Sequence, residues 1–334
     1  MRKMKKFFGV LILFCLLILI IFIYQGIYFP ESFKWEREKL FLIERGENLF
    51  QIAENLEKEG LIKNKFLFDL YIFIKGAQRK LQAGEYFLSP SESIDRIAEK
   101  IISGDITKIV VTIPEGFTVR QIEERMGLKL PGENLEGFLF PDTYQFPLRV
   151  SGEEVVKKMR DNFDKKLAPY RNEISGAGLT ISEIVSMASL LEKEVKTKED
   201  KEIVSGILWK RLENNVPLQV DATIAYILRY KTTNPEGVAP RPYGARISKE
   251  DLQIDSPYNT YKYRGLPLGP ICNPGLDSIL AAMYPESSEF WYYLSPWVAE
   301  LRSSPASLRS AEDEGTIFSE TLEKHNIAKE KYLR

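Results

Sequence analysis

The N-terminus constrains this chain most. Arg2, Lys3, Lys5 and Lys6 precede FFGVLILFCLLILIIFIYQGIYF, and no formal charge occurs from Phe7 to Pro30. Roughly 20 apolar residues cross a bilayer as a helix. The run therefore predicts a transmembrane helix over residues 7–29, with residues 1–6 as a short cytoplasmic tail. Basic flanks stay in the cytoplasm. The body of the chain is then expected on the outer face of the cytoplasmic membrane, held by a single span. A cleaved signal would carry a shorter apolar core and small residues at its exit. Here the exit is bulky (Tyr24, Tyr28, Phe29), which predicts an anchor that is kept.

The remainder reads as a folded chain of about two domains. Its 334 residues are 44% hydrophobic and 28% charged, with a net charge of −1. So even a balance gives no sign of nucleic-acid binding. Cys15 and Cys272 lie too far apart in character and position to suggest a disulfide framework. His325 is the sole histidine, which excludes His-rich metal sites and leaves Ser-His-Asp or Cys-His catalysis a single possible base. It sits in a polar helical tail, ETLEKHNIAKEKY, and is expected at the surface. No metal or cofactor is expected.

Three segments in the first third share a pattern: GENLFQIAENL, SESIDRIAEKI and GFTVRQIEERM. Each places a capping residue (Asn48, Ser93 or Thr118) before an apolar residue. Apolar positions then follow helical spacing: Leu49, Ile52, Ala53, Leu56; Ile94, Ile97, Ala98, Ile101; Val119, Ile122, Met126. Unequal offsets exclude a solenoid, and three ordinary capped helices explain the pattern. Strand-like pieces lie between them: FLIE (41–44), GEYFL (84–88) and KIVVTI (108–113). The order strand, helix, helix, strand, helix, strand predicts a small α+β module over 39–112. PEGFTV then opens a second, mixed α+β domain over 113–334, which includes a loop-like LEGFLFPDTYQFP (135–147).

Within that domain, MASLLEKEV (187–195) is an apolar helical run that carries two acids. Thr180 and Glu183 fit a capping box, so the helix is expected from near Ile181 to near Val195. On a helical wheel, Ile184, Ala188, Leu191 and Val195 centre the buried face, and Lys193 points to solvent. Glu192 falls between Ile181 and Val185, inside the apolar arc. Glu194 falls near the opposite edge, so Glu192 is expected to be the more buried. Half-buried carboxylates tend to have raised pKa values, which is what a general acid needs. A plain i,i+4 pair with Lys196 would explain the same spacing.

Downstream, VPLQVDATIAYIL puts Gln219 and Asp221 just before an apolar helix. SPYNTYKYRGLPLGPICNPGLDSILAAMYP (256–285) follows, too rich in Pro and Gly for a regular helix or central strand. Tyrosines beside Asn and hydroxyl groups suit a sugar, whose apolar face stacks on rings. A packed structural loop is the plainer reading.

Taken in order, LEGFLFPDTYQF, ASLLEKE, LQVDATIAY and the long SPYNTY segment resemble the YceG-like family of endolytic murein transglycosylases. An anchor followed by a LysM-like module matches as well. The resemblance covers nearly all of the chain after residue 38. It implies a membrane-anchored lytic transglycosylase that cuts the MurNAc-β-1,4-GlcNAc bond of nascent peptidoglycan without water, leaving 1,6-anhydro ends. It implies Glu192 as the catalytic acid and then base, with Gln219, Asp221, Ser256, Tyr258, Asn259 and Thr260 lining the glycan groove. Glycan strands, the cytoplasmic membrane and cell-wall synthases are the implied partners. One departure is Thr316 in EGTIF, where the family commonly carries a histidine. Two other readings stand beside this one: a non-catalytic peptidoglycan-binding scaffold, and a hydrolase using Asp221 or Glu194 as a second carboxylate.

Overall fold

The structure is a computed structural model that describes residues 2–32, 37–176, 178–231, 247–295 and 315–332. Glu314 of EGTIF and the side chains of the N-terminal basic cluster lie outside the described residues. The fold is mixed helix and sheet. By packing, the chain forms two units: Met1–Val110 with Gln145–Val150, and Val111–Tyr144 with Ser151–Arg334.

The first unit begins with α1 (Arg2–Tyr28). Its stretch Phe7–Tyr28 has a hydropathy of 3.2 and is uncovered except at its last turns, so it is long and apolar enough to cross a membrane. Next come β1 (Lys39–Ile43), α2 (Leu49–Lys58), α3 (Lys65–Ile74), β2 (Gly84–Leu88), α4 (Ile94–Ser103) and β3 (Lys108–Thr112), in the expected order. β1 pairs antiparallel with β2, with Phe41 opposite Tyr86. It starts two residues before FLIE because Lys39 and Leu40 find partners in Leu88 and Phe87. Asn48 and Gln51 form a reciprocal capping box on α2, while Ser93 precedes α4 without a side-chain cap bond. The spaced apolar residues Ile52, Ala53, Leu56, Ile94, Ile97, Ala98 and Ile101 are all buried, against Phe41, Phe68, Ile72, Tyr86 and Leu88. Each large aliphatic side chain buried this way contributes about 1.5–3 kcal/mol.

The second unit contains α5 (Val119–Met126), β4 (Thr143–Pro147, shared with the first unit), α6 (Gly152–Leu167), α7 (Arg171–Gly176), α8 (Ile181–Glu194), α9 (Lys198–Glu213), α10 (Asp221–Tyr226), α11 (Leu276–Met283), β5 (Tyr292–Leu294), β6 (Ile317–Ser319) and α12 (Leu322–Tyr332). The expected loop 135–147 ends as a strand. Tyr144 and Phe146 alternate inward from β4 and are buried, a period-2 signal masked by the turn residues before it. β5 and β6 pair antiparallel, Tyr293 opposite Phe318.

α8 is the spine of this unit. Thr180 and Glu183 close the capping box as expected. The helix is not one-sided, because Ser186 and Ser189 are buried along with Ile184, Val185, Met187, Ala188, Leu190 and Leu191. Small serines let neighbouring backbone approach. Ser189 Oγ accepts the Ile271 N–H at 3.1 Å and donates to Ser186 O at 2.7 Å. The irregular segment after residue 254 is thereby fastened to α8, and it runs without regular structure to the start of α11, as its Pro and Gly content dictates.

His325 departs from its expected surface position. It is 7% exposed, and its ring stacks on Tyr292 at 5.3 Å between centroids. The tail is helical as expected, but α12 docks this residue against β5, so polar neighbours in sequence did not mean solvent in space.

Candidate active site

Glu192 lies in the last turn of α8, and three donors converge on its Oε2. They are the Ser278 hydroxyl at 2.6 Å, the Gly275 N–H at 3.0 Å and the Lys201 ammonium at 3.4 Å. Ser278 stands in the first turn of α11, Gly275 caps that helix, and Lys201 comes from the first turn of α9. Among the described residues no hydrogen bond falls on Oε1. The Lys201 and Glu192 side chains are only 5% and 10% exposed, so water screens this ion pair weakly.

A second carboxyl closes over this arrangement. A Cβ on Gly275 would overlap the Glu115 carboxyl, so glycine is what lets that side chain lie flat against the cap of α11. Asn273 fixes the Glu115 loop, accepting the Gly116 N–H at 2.8 Å and donating its own N–H to Phe117 O at 2.9 Å. Gly116 itself has φ +76, and a side chain there would press on the Lys193 ammonium and Glu192 Cγ. Lys193 thus folds over this loop, and the expectation that it points to solvent is corrected: it is half-buried. Partial withdrawal from water raises the Glu115 pKa above the ordinary carboxylate value. Repulsion from Glu192 and Asp277 adds to the rise, and Lys201 opposes it.

The sign of that shift sets an expected result. A carboxyl with a raised folded-state pKa supports the fold below its unfolded pKa and loses that support as pH rises through the folded value. Glu115→Gln should therefore be more heat-stable than the parent at pH 7, with the gain gone by pH 4. Melting curves at both pH values test this. An equal offset at both would show that the carboxyl is not perturbed.

Glu194 turns the other way. The wheel's ranking is overturned here: Glu194 is 4% exposed, while Glu192 keeps partial access. Two residues of helix rotate the side chains to nearly opposite faces. Glu194 meets α10 and β5, accepting the Ala222 N–H at 3.4 Å and the Tyr293 hydroxyl at 3.1 Å. Asp221 accepts the Tyr261 hydroxyl. With Gln219, Tyr261 and Tyr293, these acids line a cavity of about 130 Å³ that His325 and Arg211 also border. Arg211 is spent on carbonyls of Trp291 and Leu218. Burial raises the Tyr261 and Tyr293 pKa values, and the Glu194 charge adds to both. Gln219 has φ +55, unusual for a residue with a side chain, and its N–H bonds Thr260 O at 3.1 Å.

The structure therefore distributes the sequence-derived residues. Glu192 stands with Ser278, Gly275, Lys201 and Glu115, none of which sequence reasoning singled out. Gln219 and Asp221 line the other cavity. Asn259 is 1% exposed, and its amide is committed to the loop: Nδ2 donates to Leu252 O and Ile254 O, and Oδ1 accepts from the Tyr261 and Lys262 N–H groups. Thr260, also 1% exposed, bonds Val220 N and Thr223 Oγ1. Ser256 Oγ accepts the Tyr258 N–H, and the Tyr258 ring packs against Tyr226 at 5.2 Å. Thr316 donates to Asp200, the residue before Lys201, at 2.8 Å. A turn-rich segment in sequence shows hydroxyls and amides but not which of them point inward.

The chain matches the YceG-like family over residues 41–331. It is 30% identical over 329 residues to a Bacillus subtilis protein named endolytic murein transglycosylase, covering 87% of this chain and 84% of that protein. A Streptococcus pneumoniae protein of the same name is 29% identical over 307 residues, and the match spans 76% of this chain but only 53% of the relative. Among solved structures, the 2.6 Å crystal structure of a YceG-like protein from Listeria monocytogenes is similar, with a TM-score of 0.53 at 28% identity. That match covers 88% of this chain and all of the other.

Proposed function

The chain belongs to the YceG-like family, and from that membership we propose that it is an endolytic murein transglycosylase acting on peptidoglycan. In this reading Glu192 cleaves the β-1,4 bond between MurNAc and GlcNAc and leaves a 1,6-anhydroMurNAc end. The observation that carries it is the asymmetry of one carboxylate. Oε2 is fixed by Ser278, Gly275 and Lys201, while Oε1 has no partner among the described residues.

Oε1 is then the atom that moves protons. It gives a proton to the glycosidic oxygen, and the C1–O4 bond breaks with its electron pair leaving on GlcNAc. It next takes the proton of the muramoyl 6-hydroxyl, whose oxygen closes on C1. Glu192 regains in the second transfer the proton it gave in the first, so it is regenerated and no water is consumed. A tethered hydroxyl has a high effective molarity, so a second carboxylate to activate water is unnecessary. Lys201 and the α11 cap hold the carboxylate oriented between the two transfers. Asn259 and Thr260 shape the loop, while Gln219 and Asp221, which line the cavity on the Glu194 side, meet glycan in this reading away from the bond that Glu192 cuts.

The same reading places α1 across the cytoplasmic membrane, with the N-terminus in the cytoplasm and both units outside. Residues 39–112 act as a LysM-like module and 113–334 as the catalytic domain, beside cell-wall synthases on nascent strands. The experiment is mass spectrometry of products from uncrosslinked glycan strands. Anhydro ends are expected. Ends that have gained water would overturn the reading in favour of a two-carboxylate hydrolase, and binding without cutting would favour a scaffold.

A further inference from the structure

The last turns of α1 are the only part of it that protein covers among the described residues. Ile27 is 4% exposed and Ile23 packs against the same core. A Cβ on Gly26 would overlap the Leu67 side chain, and the Tyr28 ring meets Tyr71 edge-on at 6.5 Å. Leu67 and Tyr71 lie one turn apart on α3, so one edge of α3 is clamped to the end of α1.

The neighbouring face of α3 is bare. At 100° per residue, Phe66, Leu70 and Phe73 form one stripe, and Ile74 falls between that stripe and the Leu67–Tyr71 edge. Phe66, Phe73 and Ile74 are 70%, 69% and 70% exposed, and Leu70 is half-buried. A helix facing water would carry charge at these positions. Clustered exposed aromatics of this size mark an interaction surface.

We propose that α3 is a membrane-interface helix, whose Phe66, Leu70, Phe73 and Ile74 enter the outer surface of the bilayer that α1 crosses. This rests on the reading of α1 as a membrane span. The argument for lipid as the occupant is continuity. The stripe adjoins the clamped edge, and beyond the clamp α1 offers only uncovered apolar side chains, from Phe7 to Phe22. The 22 residues of Phe7–Tyr28 rise about 33 Å, close to the hydrocarbon thickness. Tyr24 and Tyr28, 4.8 Å apart between ring centroids, then sit at the boundary where tyrosines concentrate. α3, clamped to that turn, lies at the same level. Lys65 and Lys75 flank the stripe, with ammonium groups 5.8 Å and 5.5 Å from the Phe66 and Tyr71 rings. Stems along apolar surface with charged heads at its rim suit anionic headgroups. The first unit would thus be held to the membrane at two places and lose its freedom to swing about α1.

The test uses the full chain reconstituted in vesicles, with a fluorophore on a single cysteine. Cys272 is fully buried and does not label. Native Cys15, in the middle of α1, reports the anchor. On a Cys15→Ser background, Phe73→Cys reports the stripe, and Glu54→Cys, whose native side chain is 47% exposed on α2, is the reference. Lipids with a nitroxide on the acyl chain should quench the Phe73 label several-fold more than the Glu54 label, and aqueous iodide should do the reverse. If iodide reaches both labels equally, the stripe faces water and the proposal fails. If neither quencher reaches residue 73, a second copy of this chain covers it, which also overturns the lipid assignment. A Cys15 label open to iodide would instead show that the anchor reading itself has failed.

Discussion

Glu192→Gln lowers the rate of anhydro-end formation by about 10²–10⁴-fold, the usual contribution of a general acid and base. Gln keeps the shape and can still accept from Ser278 and Gly275, so the fold around α11 persists. What it removes is the transferable proton and the charge. The lost charge has a second consequence, because Lys201 is 4% exposed and its hydrogen bond is to Glu192. Removing one member of a buried ion pair costs about 3–5 kcal/mol, since the other stays buried and unmatched. With the Glu115 carboxyl nearby, the lower end of that range is expected here. Glu192→Gln/Lys201→Met restores most of the stability, because an apolar side chain then fills the space of the orphaned ammonium. It restores no activity. Urea midpoints and product analysis on both variants separate chemistry from folding. If the double variant regained the rate, or the single variant stayed within about tenfold of the parent, Glu192 would not be the acid.

How far this site was legible in the sequence depends on distance along the chain. The extent of α8 was readable, since its capping box, its apolar spacing and the acid in its last turn are all local. So was α1, whose run of uncharged residues admits few other structures. The groups that give Glu192 its character come from distant Glu115, Gly275 and Ser278 and from Lys201 on the next helix, and no periodicity connects separate elements in this way. Glu194 shows the same limit on a single helix. The wheel fixed the directions of both acids correctly, but burial was decided by Tyr293, nearly a hundred residues on. His325 was misplaced for that reason, as its cover is supplied by β5. Asn259 and Thr260 mark a different limit: composition located a polar loop, but only coordinates show their donors and acceptors turned inward to hold it.

Asn273→Leu destabilises the second unit by about 2–4 kcal/mol, from the loss of buried hydrogen bonds with no water to replace them. Asn273 is 0% exposed. Its Oδ1 accepts the Leu139 N–H at 2.9 Å, and its Nδ2 donates to Phe117 O at 2.9 Å and to Glu136 Oε1 at 3.4 Å. Leucine has the same branched outline and leaves no cavity, but its methyl groups are bulkier than the amide, so overpacking adds to the polar loss. The Leu139 N–H is then buried without an acceptor, which is the costliest part. Phe117 O keeps the Asn273 N–H, so the backbone link between the two loops survives and the protein still folds. Activity should fall further than the fraction unfolded explains. The Asn273 side chain joins the loop bearing Glu115 to the segment whose Gly275 N–H holds Glu192 Oε2, and slackening it blurs the position of the acid. A displaced acid costs turnover more than binding, so kcat drops while KM stays near the parental value. A urea midpoint equal to that of the parent would refute the structural part. A normal kcat in a destabilised variant would show that the geometry of Glu192 does not depend on this loop.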